Sequence, residues 1–417
     1  MATFFIKTFG CAYNQADSET MAAVLAEAGH SRAEIRTADV VIANTCSVKT
    51  PTQDKILNFL QTVNKPLVVA GCLVQAMPGA VEEAVPGASL VGTFAHSKIA
   101  EAVEAAAKGE KAVFLGRETR PALSALPVGK IAIVKIAEGC ASSCSFCQTK
   151  LARGALRSNQ PKEIVRATEE AIAAGAKEIR LTAQDTGCYG KDIGSSLSGL
   201  MESVCSIDGD FMVRIGMMNP QHFAGDAAGL LRTFSNPKVY KLLHLPVQNG
   251  SDRVLAEMNR GHTAMDFESL AAAFRKKFPQ ASIETDVIVG YPSETEEDFA
   301  KTIALVGRVR PDMTNVSKFY ARPGTRAALL RPLPTAVVKQ RSAECSAAGK
   351  HAALAKHKEF IGRTLRVLVT QKAGRFLAGR TKEYRKVLVK TRKARLGEWA
   401  DARITAAAVC HLVGETA

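Results

Sequence analysis

The sequence predicts an α/β protein in three parts. These are an N-terminal open parallel α/β domain at 1–107, a central partial (βα)6 TIM-like barrel at 131–355 reached through a linker at 108–130, and a C-terminal small all-β barrel at 356–417. Three observations carry this. Short apolar runs alternate with helical patterns through the first hundred residues, as in a parallel layer covered by helices. After a proline-marked break the same alternation returns six times. The last sixty residues change to short alternating runs split by Gly374, Gly379 and Gly397, the pattern of a small β-barrel.

In the first part the apolar runs fall at 3–9, 40–43, 67–70 and, more weakly, 89–91. The stretch 107–129 loses periodicity and carries Pro121 and Pro127, which marks the linker. Strands are then expected at 131–136, 178–183, 211–216, 239–245, 282–289 and 313–319, with helices between them such as 161–174 and 294–309. Ser293 and Glu296 have capping-box spacing for the last of these helices. In the third part, 365–369 and 386–390 alternate as strands.

The chain has 417 residues, 47% of them hydrophobic and 23% charged, enough to bury several cores. No stretch approaches the roughly 20 apolar residues of a membrane helix, and the N-terminus lacks the pattern of a secretion signal, so a cytoplasmic protein without a membrane partner is expected. The net charge of +15 points to a polyanion, nucleic acid first. Thirteen Lys and Arg residues stand between 363 and 403 against four acidic residues from Glu383 onward, so more than half of the surplus sits in the tail. Arg363, Arg366, Lys382, Arg385, Lys386, Lys390, Arg392 and Lys393 are the candidate RNA contacts, with Phe376, Tyr384 and Trp399 as stacking faces or core.

Chemistry concentrates at Cys140-Ala-Ser-Ser-Cys144-Ser-Phe146-Cys147, directly after the 131–136 run. Three thiolates at this spacing can hold three irons of a cubane iron–sulfur cluster and leave the fourth iron open. A tetrahedral zinc loop is the competing reading, but no second Cys or His pair follows at zinc spacing. Three N-terminal runs also end in a cysteine, at Cys11, Cys46 and Cys72. Residues past the carboxyl ends of parallel strands converge on one edge, so these three are expected to meet and to hold a second cluster. Small buried cysteines are the alternative. Cys188, Cys205, Cys345 and Cys410 fit no ligand pattern and read as ordinary small apolar residues, with Cys188 the one of the four near the expected site loops.

The Cys140–Cys147 motif resembles the radical S-adenosylmethionine (radical SAM) signature. Together with Gly10-Cys11, Asn14, Asp17-Ser18-Glu19, Asn44-Thr45-Cys46-Ser47-Val48, Gly71-Cys72, Arg153-Gly154, His244-Leu-Pro-Val-Gln248 and Arg322-Pro-Gly-Thr325, it makes the chain resemble the methylthiotransferase family along nearly its whole length. The tail then corresponds to the TRAM domain, an RNA-binding barrel. Three segments, at 147–154, 181–194 and 216–220, resemble the archaeal and eukaryotic branch that acts on threonylcarbamoyladenosine in tRNA. Other branches act on isopentenyladenosine or on a ribosomal-protein aspartate.

This resemblance implies two [4Fe–4S] clusters and S-adenosylmethionine, which reductive cleavage converts to a 5′-deoxyadenosyl radical. It further implies insertion of a methylthio group at C2 of the adenine at position 37, in the anticodon loop. The partners implied are tRNA and an electron donor such as a flavodoxin or ferredoxin, with the enzyme a monomer. Phe146 is placed against the adenine of the cofactor or as a shield of the cluster. Gln184 and Asp185 fall where the superfamily contacts the methionine amino group, or in a plain turn. His244 and Gln248 are expected at the barrel mouth, or His244 as a structural histidine. Gln248-Asn249-Gly250 stands where relatives commonly have Gln-Ser-Gly, and Gln148 where lysine is more usual. A non-catalytic RNA-binding iron–sulfur protein is the reading from another class.

Overall fold

A computed structural model describes residues 1–391 and 394–416. The first sheet has strands β1 (Thr3–Thr8), β2 (Ser31–Arg32), β3 (Val40–Thr45), β4 (Leu67–Gly71), β5 (Ser89–Val91) and β6 (Val113–Phe114) in the order β2-β1-β3-β4-β5-β6, all parallel. Every residue of β3 and β4 is buried, because helices cover both faces. Val40 and Ile42 point to one face with Met21, Leu25, Ile99 and Val103, whereas Val41 and Ala43 point to the other with Ile56, Leu60 and Val81. The stretch read as linker supplies β6, which pairs through Leu90↔Val113. Two strand residues are too short to register as an apolar run.

The middle part holds β7 (Ile131–Lys135), β8 (Ala137–Glu138), β9 (Arg157–Ser158), β10 (Glu178–Thr182), β11 (Met212–Ile215), β12 (Leu242–His244), β13 (Ser282–Val289) and β14 (Met313–Lys318). Two parallel three-stranded sheets, β11-β10-β7 and β12-β13-β14, are joined by the parallel bridge Val213↔Val239. The result is an open arc of the six expected strands. The small pair β8 and β9 flanks the cysteine loop. Helix Pro161–Ala173 begins with Pro161 in its first turn and a capping box between Gln160 and Glu163. In helix Glu296–Val309 the box lies two residues later than expected, on Thr295 and Asp298. Ser293 instead donates to Glu257, and Glu296 pairs with Arg341 at 3.0 Å.

Helix Thr335–Lys358 packs on β14 and leads into the tail. There β15 (Thr364–Ala373), β16 (Phe376–Arg380), β17 (Lys386–Lys390), β18 (Trp399–Ala407) and β19 (Leu412–Thr416) close a barrel in the order β15-β16-β17-β19-β18 around Val367, Val387, Val389, Ile404 and Leu412. This barrel docks on the amino-terminal ends of the central strands. Tyr384 packs with Met212, Tyr240 and Leu242, edge-on to Tyr240 at 4.8 Å, and its hydroxyl donates to Glu178 Oε1 at 3.0 Å. The hydroxyl thus finds a partner where the ring is buried. Of the two parts the sequence allows Tyr384, core and stacking face, the fold gives it the core.

Candidate active site

Cys11, Cys46 and Cys72 follow β1, β3 and β4, which lie side by side in the sheet, so their loops share one edge. Gly10 makes this approach possible: at φ +106°, a Cβ there would stand 2.8 Å from Cys46 Cβ. Asn14 stitches the three loops together. Its Nδ2 donates to the carbonyls of Phe9 (2.9 Å) and Thr45 (2.8 Å), while its Oδ1 faces Cys11 Sγ at 3.7 Å and Cys72 Sγ at 3.9 Å. Cys46 and Cys72 are buried and Cys11 is exposed. Burial pushes the Cys46 thiol up, against a hydrogen bond from the Val48 N–H. Burial pushes Cys72 up to about 12, opposed by the Arg153 guanidinium. Such thiols stay protonated until a metal displaces the protons.

Cys140, Cys144 and Cys147 ride the loop after β7 and β8. Gly139, at φ +76°, turns the chain where a Cβ would lie 2.0 Å from the Ala155 carbonyl oxygen, and its N–H donates to Gln184 Oε1 at 2.7 Å. The Ser142 N–H approaches Cys140 Sγ at 3.3 Å and Arg260 Nη1 approaches Cys144 Sγ at 3.4 Å. Ser145 anchors the loop through its N–H to the Met258 carbonyl at 3.0 Å. The Cys188 thiol lies against Cys140, and hydrogen bonding from it is the largest influence holding the Cys140 thiol below its usual range. Cys140, Asp185 and Cys188 bring ligand atoms within 4.8 Å of one another, so Cys188 belongs to the site rather than to the bulk core. Both trios offer three soft thiolates without a fourth protein thiolate required, a donor set that fits a cubane cluster with one open iron.

The two trios meet across helix Thr149–Arg153, which packs on helix Cys72–Ala76. Arg153 is 1% exposed and ties the halves together. It donates from Nη2 to Asp17 Oδ2 at 2.5 Å, from Nη1 to Glu138 Oε1 at 2.9 Å and from Nε to Cys72 Sγ at 3.3 Å, and it lies over the Tyr13 ring at 4.7 Å. Burial alone would push the Asp17 carboxyl up, but Arg153, Lys135 and His96 together hold it well below the usual carboxylate range. Arg322 makes a second tie, from Nε to Gln148 Oε1 at 2.8 Å and from Nη2 to Gln53 Oε1 at 2.7 Å. Gln148 therefore suits its place, since a lysine there would set a cation against Arg322.

Phe146 is half-buried and packs beside Val254, Met258, Tyr291 and Ala327. Gln184 steadies the cysteine loop through Gly139. Asp185 is buried, and its carboxylate accepts from the Gly187 N–H (3.0 Å), the Asn219 N–H (3.1 Å) and His222 Nδ1 (2.8 Å), so it ties its own turn after β10 to the segment after β11. His244 Nε2 lies 2.7 Å from Asp286 Oδ2 in the arc. Gln248 takes φ +74°, with its backbone N–H donating to the Asp286 carbonyl. The neighbouring Asn249 donates to Glu294 at 2.8 Å and accepts from the Ser251 N–H at 2.9 Å, a structural part. Asn14, Arg153 and Arg322 stand in the sequence as motif residues with no part in the site, and the fold gives each of them one. Their signal is position, each within a few residues of a cysteine or in a block shared with the family.

In the tail, Arg363, Arg366, Lys382 and Lys390 are exposed and Lys386 is half-buried, with Arg366 over the Trp399 ring at 5.7 Å. Arg385 is different. It is buried, donating to Asp312 Oδ1 at 3.1 Å and to the Gln280 carbonyl at 2.7 Å, so it fastens the tail to the central barrel and is withdrawn from RNA. Arg392 and Lys393 lie outside the described residues.

Among the described residues, no helix is long and apolar enough to cross a membrane. Residues 3–92 match the uncharacterized protein family UPF0004, 134–306 the radical SAM superfamily and 358–415 the TRAM domain. Among solved structures, the radical S-adenosylmethionine methyltransferase TsrM from Kitasatospora setae, with cobalamin and a [4Fe–4S] cluster bound, has a TM-score of 0.59 at 13% identity, covering 90% of this chain and 80% of that one. The cobalamin-dependent radical enzyme OxsB has a TM-score of 0.53 at 11% identity, covering 79% and 55%. At these identities the likeness is one of fold. Much nearer in sequence are proteins named probable threonylcarbamoyladenosine tRNA methylthiotransferase from Pyrococcus horikoshii, 38% identical over 100% of this chain and 99% of that protein, and from Methanothermobacter thermautotrophicus, 40% identical over 93% of each. A human threonylcarbamoyladenosine tRNA methylthiotransferase is 34% identical over 96% of this chain and 71% of its own length. With three domains matched in order and this identity from end to end, the chain belongs to the threonylcarbamoyladenosine tRNA methylthiotransferase family.

Proposed function

We propose that this chain inserts a methylthio group at C2 of N6-threonylcarbamoyladenosine at position 37 of tRNA. In this reading Cys140, Cys144 and Cys147 hold one [4Fe–4S] cluster and Cys11, Cys46 and Cys72 hold a second. The observation that carries it is Arg153, which leaves the loop of one trio and reaches Cys72 of the other at 3.3 Å. Six thiols in two groups thereby belong to one seam. When bound, the clusters and S-adenosylmethionine supply radical and sulfur chemistry at an aromatic C–H, which acid–base side chains cannot activate.

The chain's own residues fix distance and orientation. Arg153 and Arg322 clamp the two halves, Asp185 ties its own turn to the Asn219–His222 segment, and Asp286 orients His244. A base in a single-stranded loop can be turned out at low cost to reach such a seam, whereas a base inside a duplex cannot. Exposed Arg363, Arg366, Lys382 and Lys390 grip phosphates and set register. A small carrier such as a ferredoxin or flavodoxin brings the electron, and the protein acts as a monomer in the cytoplasm.

The test is mass analysis of nucleosides after anaerobic reaction of the reconstituted enzyme with anticodon stem-loops bearing either modified adenosine. The 2-methylthio product on threonylcarbamoyladenosine is expected. Product on isopentenyladenosine alone would move the chain to another branch, and failure to convert S-adenosylmethionine to 5′-deoxyadenosine would favour a non-catalytic RNA-binding protein.

A further inference from the structure

A cleft of about 280 Å³ opens where helix Ala12–Glu27 meets β7 and the start of helix Pro161–Ala173. It shares a wall with the first cysteine trio, because Tyr13 and Asp17 line the cleft and also hold Arg153 against Cys72. With Arg153 behind the wall counted, four cations (Arg120, Lys135, Arg153 and Arg157) face three carboxylates (Asp17, Glu138 and Glu163), and Glu163 is occupied in capping its own helix at the Gln160 N–H. Asp17 pairs with Lys135 at 3.0 Å and with Arg153, and Glu138 pairs with Arg120 at 3.2 Å and with Arg153. The Arg157 guanidinium, also in the lining, has no hydrogen bond or ion pair among the described residues. Burial depresses its pKa first, and the neighbouring Arg120 and Arg117 add to that against a partial offset from the Glu138 carboxylate. Crowded guanidiniums in a half-buried cleft leave an oxyanion wanting.

A second group waits in the same cleft. His96 is 6% exposed, its Nδ1 faces Asp17 at 3.8 Å, and its buried Nε2 has no partner among the described residues. Burial holds it to a pKa of about 4, so the ring is neutral near pH 7. With the proton on the nitrogen that faces a carboxylate, Nε2 is a free acceptor. The cleft therefore offers a cation for a carboxylate and, beside it, an acceptor for an O–H or N–H.

Resting on the function proposed above, we infer that this cleft receives the N6 substituent of the substrate adenosine, with Arg157 taking its carboxylate and His96 Nε2 accepting from its hydroxyl or ureido N–H. An apolar isopentenyl group would leave both unpaired, so the cleft also sets the branch of the family.

The experiment measures binding of the reconstituted full-length enzyme to two anticodon stem-loops of one sequence, one with threonylcarbamoyladenosine and one with adenosine at position 37. The wild type is expected to prefer the modified RNA by about tenfold, the worth of one charge-assisted hydrogen bond of about 1.4 kcal/mol. R157Q should erase that preference with unchanged affinity for the unmodified RNA, and R157K should restore part of it. Equal losses on both RNAs would overturn the inference in favour of a backbone phosphate in the cleft. A preference that survives R157Q would overturn it too. Melting temperature and iron content check that R157Q is folded, and H96A, which removes the acceptor alone, must also weaken the preference. The failures separate cleanly: if the wild type makes methylthio product from the modified RNA, only the inference falls, and if it makes none, the proposed function falls.

Discussion

Arg153→Met is the sharpest test of how the two halves are held. The side chain sits at 1% exposure between Asp17, itself 1% exposed, and Glu138. Methionine keeps most of the volume but leaves Asp17 buried with Lys135 at 3.0 Å as its remaining close cation. Removing one partner of a buried pair costs about 3–5 kcal/mol, because the other charge loses its compensation. At roughly 3 °C per kcal/mol for a domain of this size, the lower figure shifts the melting temperature down by about 9 °C. Differential scanning calorimetry of the cluster-free protein reads this directly. The double variant D17N/R153M should recover about half of the loss, since it removes the stranded charge, whereas additive losses would mean the two residues do not interact. A melting temperature for R153M within about 2 °C of wild type would refute the claim that this guanidinium fastens the seam.

Replacing either cysteine trio by alanine should lower bound iron from about eight to about four per chain, measured by iron and sulfide analysis of anaerobic protein. Changing Arg363, Arg366, Lys382 and Lys390 to glutamine should flatten the dependence of tRNA affinity on salt by about 0.7 in log–log slope for each phosphate that is no longer neutralised. Arg385→Gln should leave that slope unchanged and instead cost about 1.5–3 kcal/mol in denaturant titration, because it removes a charge-assisted hydrogen bond to Asp312, which keeps Lys356 at 3.1 Å. The Asp17 carboxyl titrates lower in the folded protein than in the unfolded chain, so its contribution is present above the ordinary carboxylate range and is lost as pH falls through that range toward its folded value. Cluster-free wild type should therefore lose stability below about pH 4 more steeply than D17N, and parallel pH profiles would contradict this.

Strands that are long apolar runs can be read from the sequence. β3 and β4 are buried on both faces, so their composition alone announces them, and the cysteines after them fall on one edge because parallel strands share direction. What escapes is what only three dimensions decide. β6 is two residues long and takes its stability from pairing with β5. The helix at Glu296–Val309 has two hydroxyls at box spacing from an acid, and packing chooses Thr295 with Asp298 while Ser293 goes to Glu257. Arg385 looks in sequence like every other tail cation, and only the docking of the tail on Asp312 distinguishes it. For the same reason Cys188 reads as a small apolar residue near the site loops, and its closeness to Cys140 itself comes from the fold of the loop after β10.

The placement of the tail constrains how RNA can be used. Glu178, Met212 and Leu242, which the tail covers through Tyr384, open β10, β11 and β12, whereas Cys140 to Cys147 follow the closing end of β7. Because β7, β10 and β11 run parallel, the tail and the cysteine loop lie at opposite ends of the arc. Exposed cations of the tail therefore cannot touch the reacting base, and their contribution must come from phosphates elsewhere on a molecule long enough to reach around the barrel. A whole tRNA meets that demand, whereas a short oligonucleotide would fill the seam and leave the tail empty. Affinity and chemistry are thus assigned to different ends of one protein, so neutralising the tail should raise KM for tRNA and leave kcat nearly unchanged, whereas Arg153→Met at the seam should lower kcat.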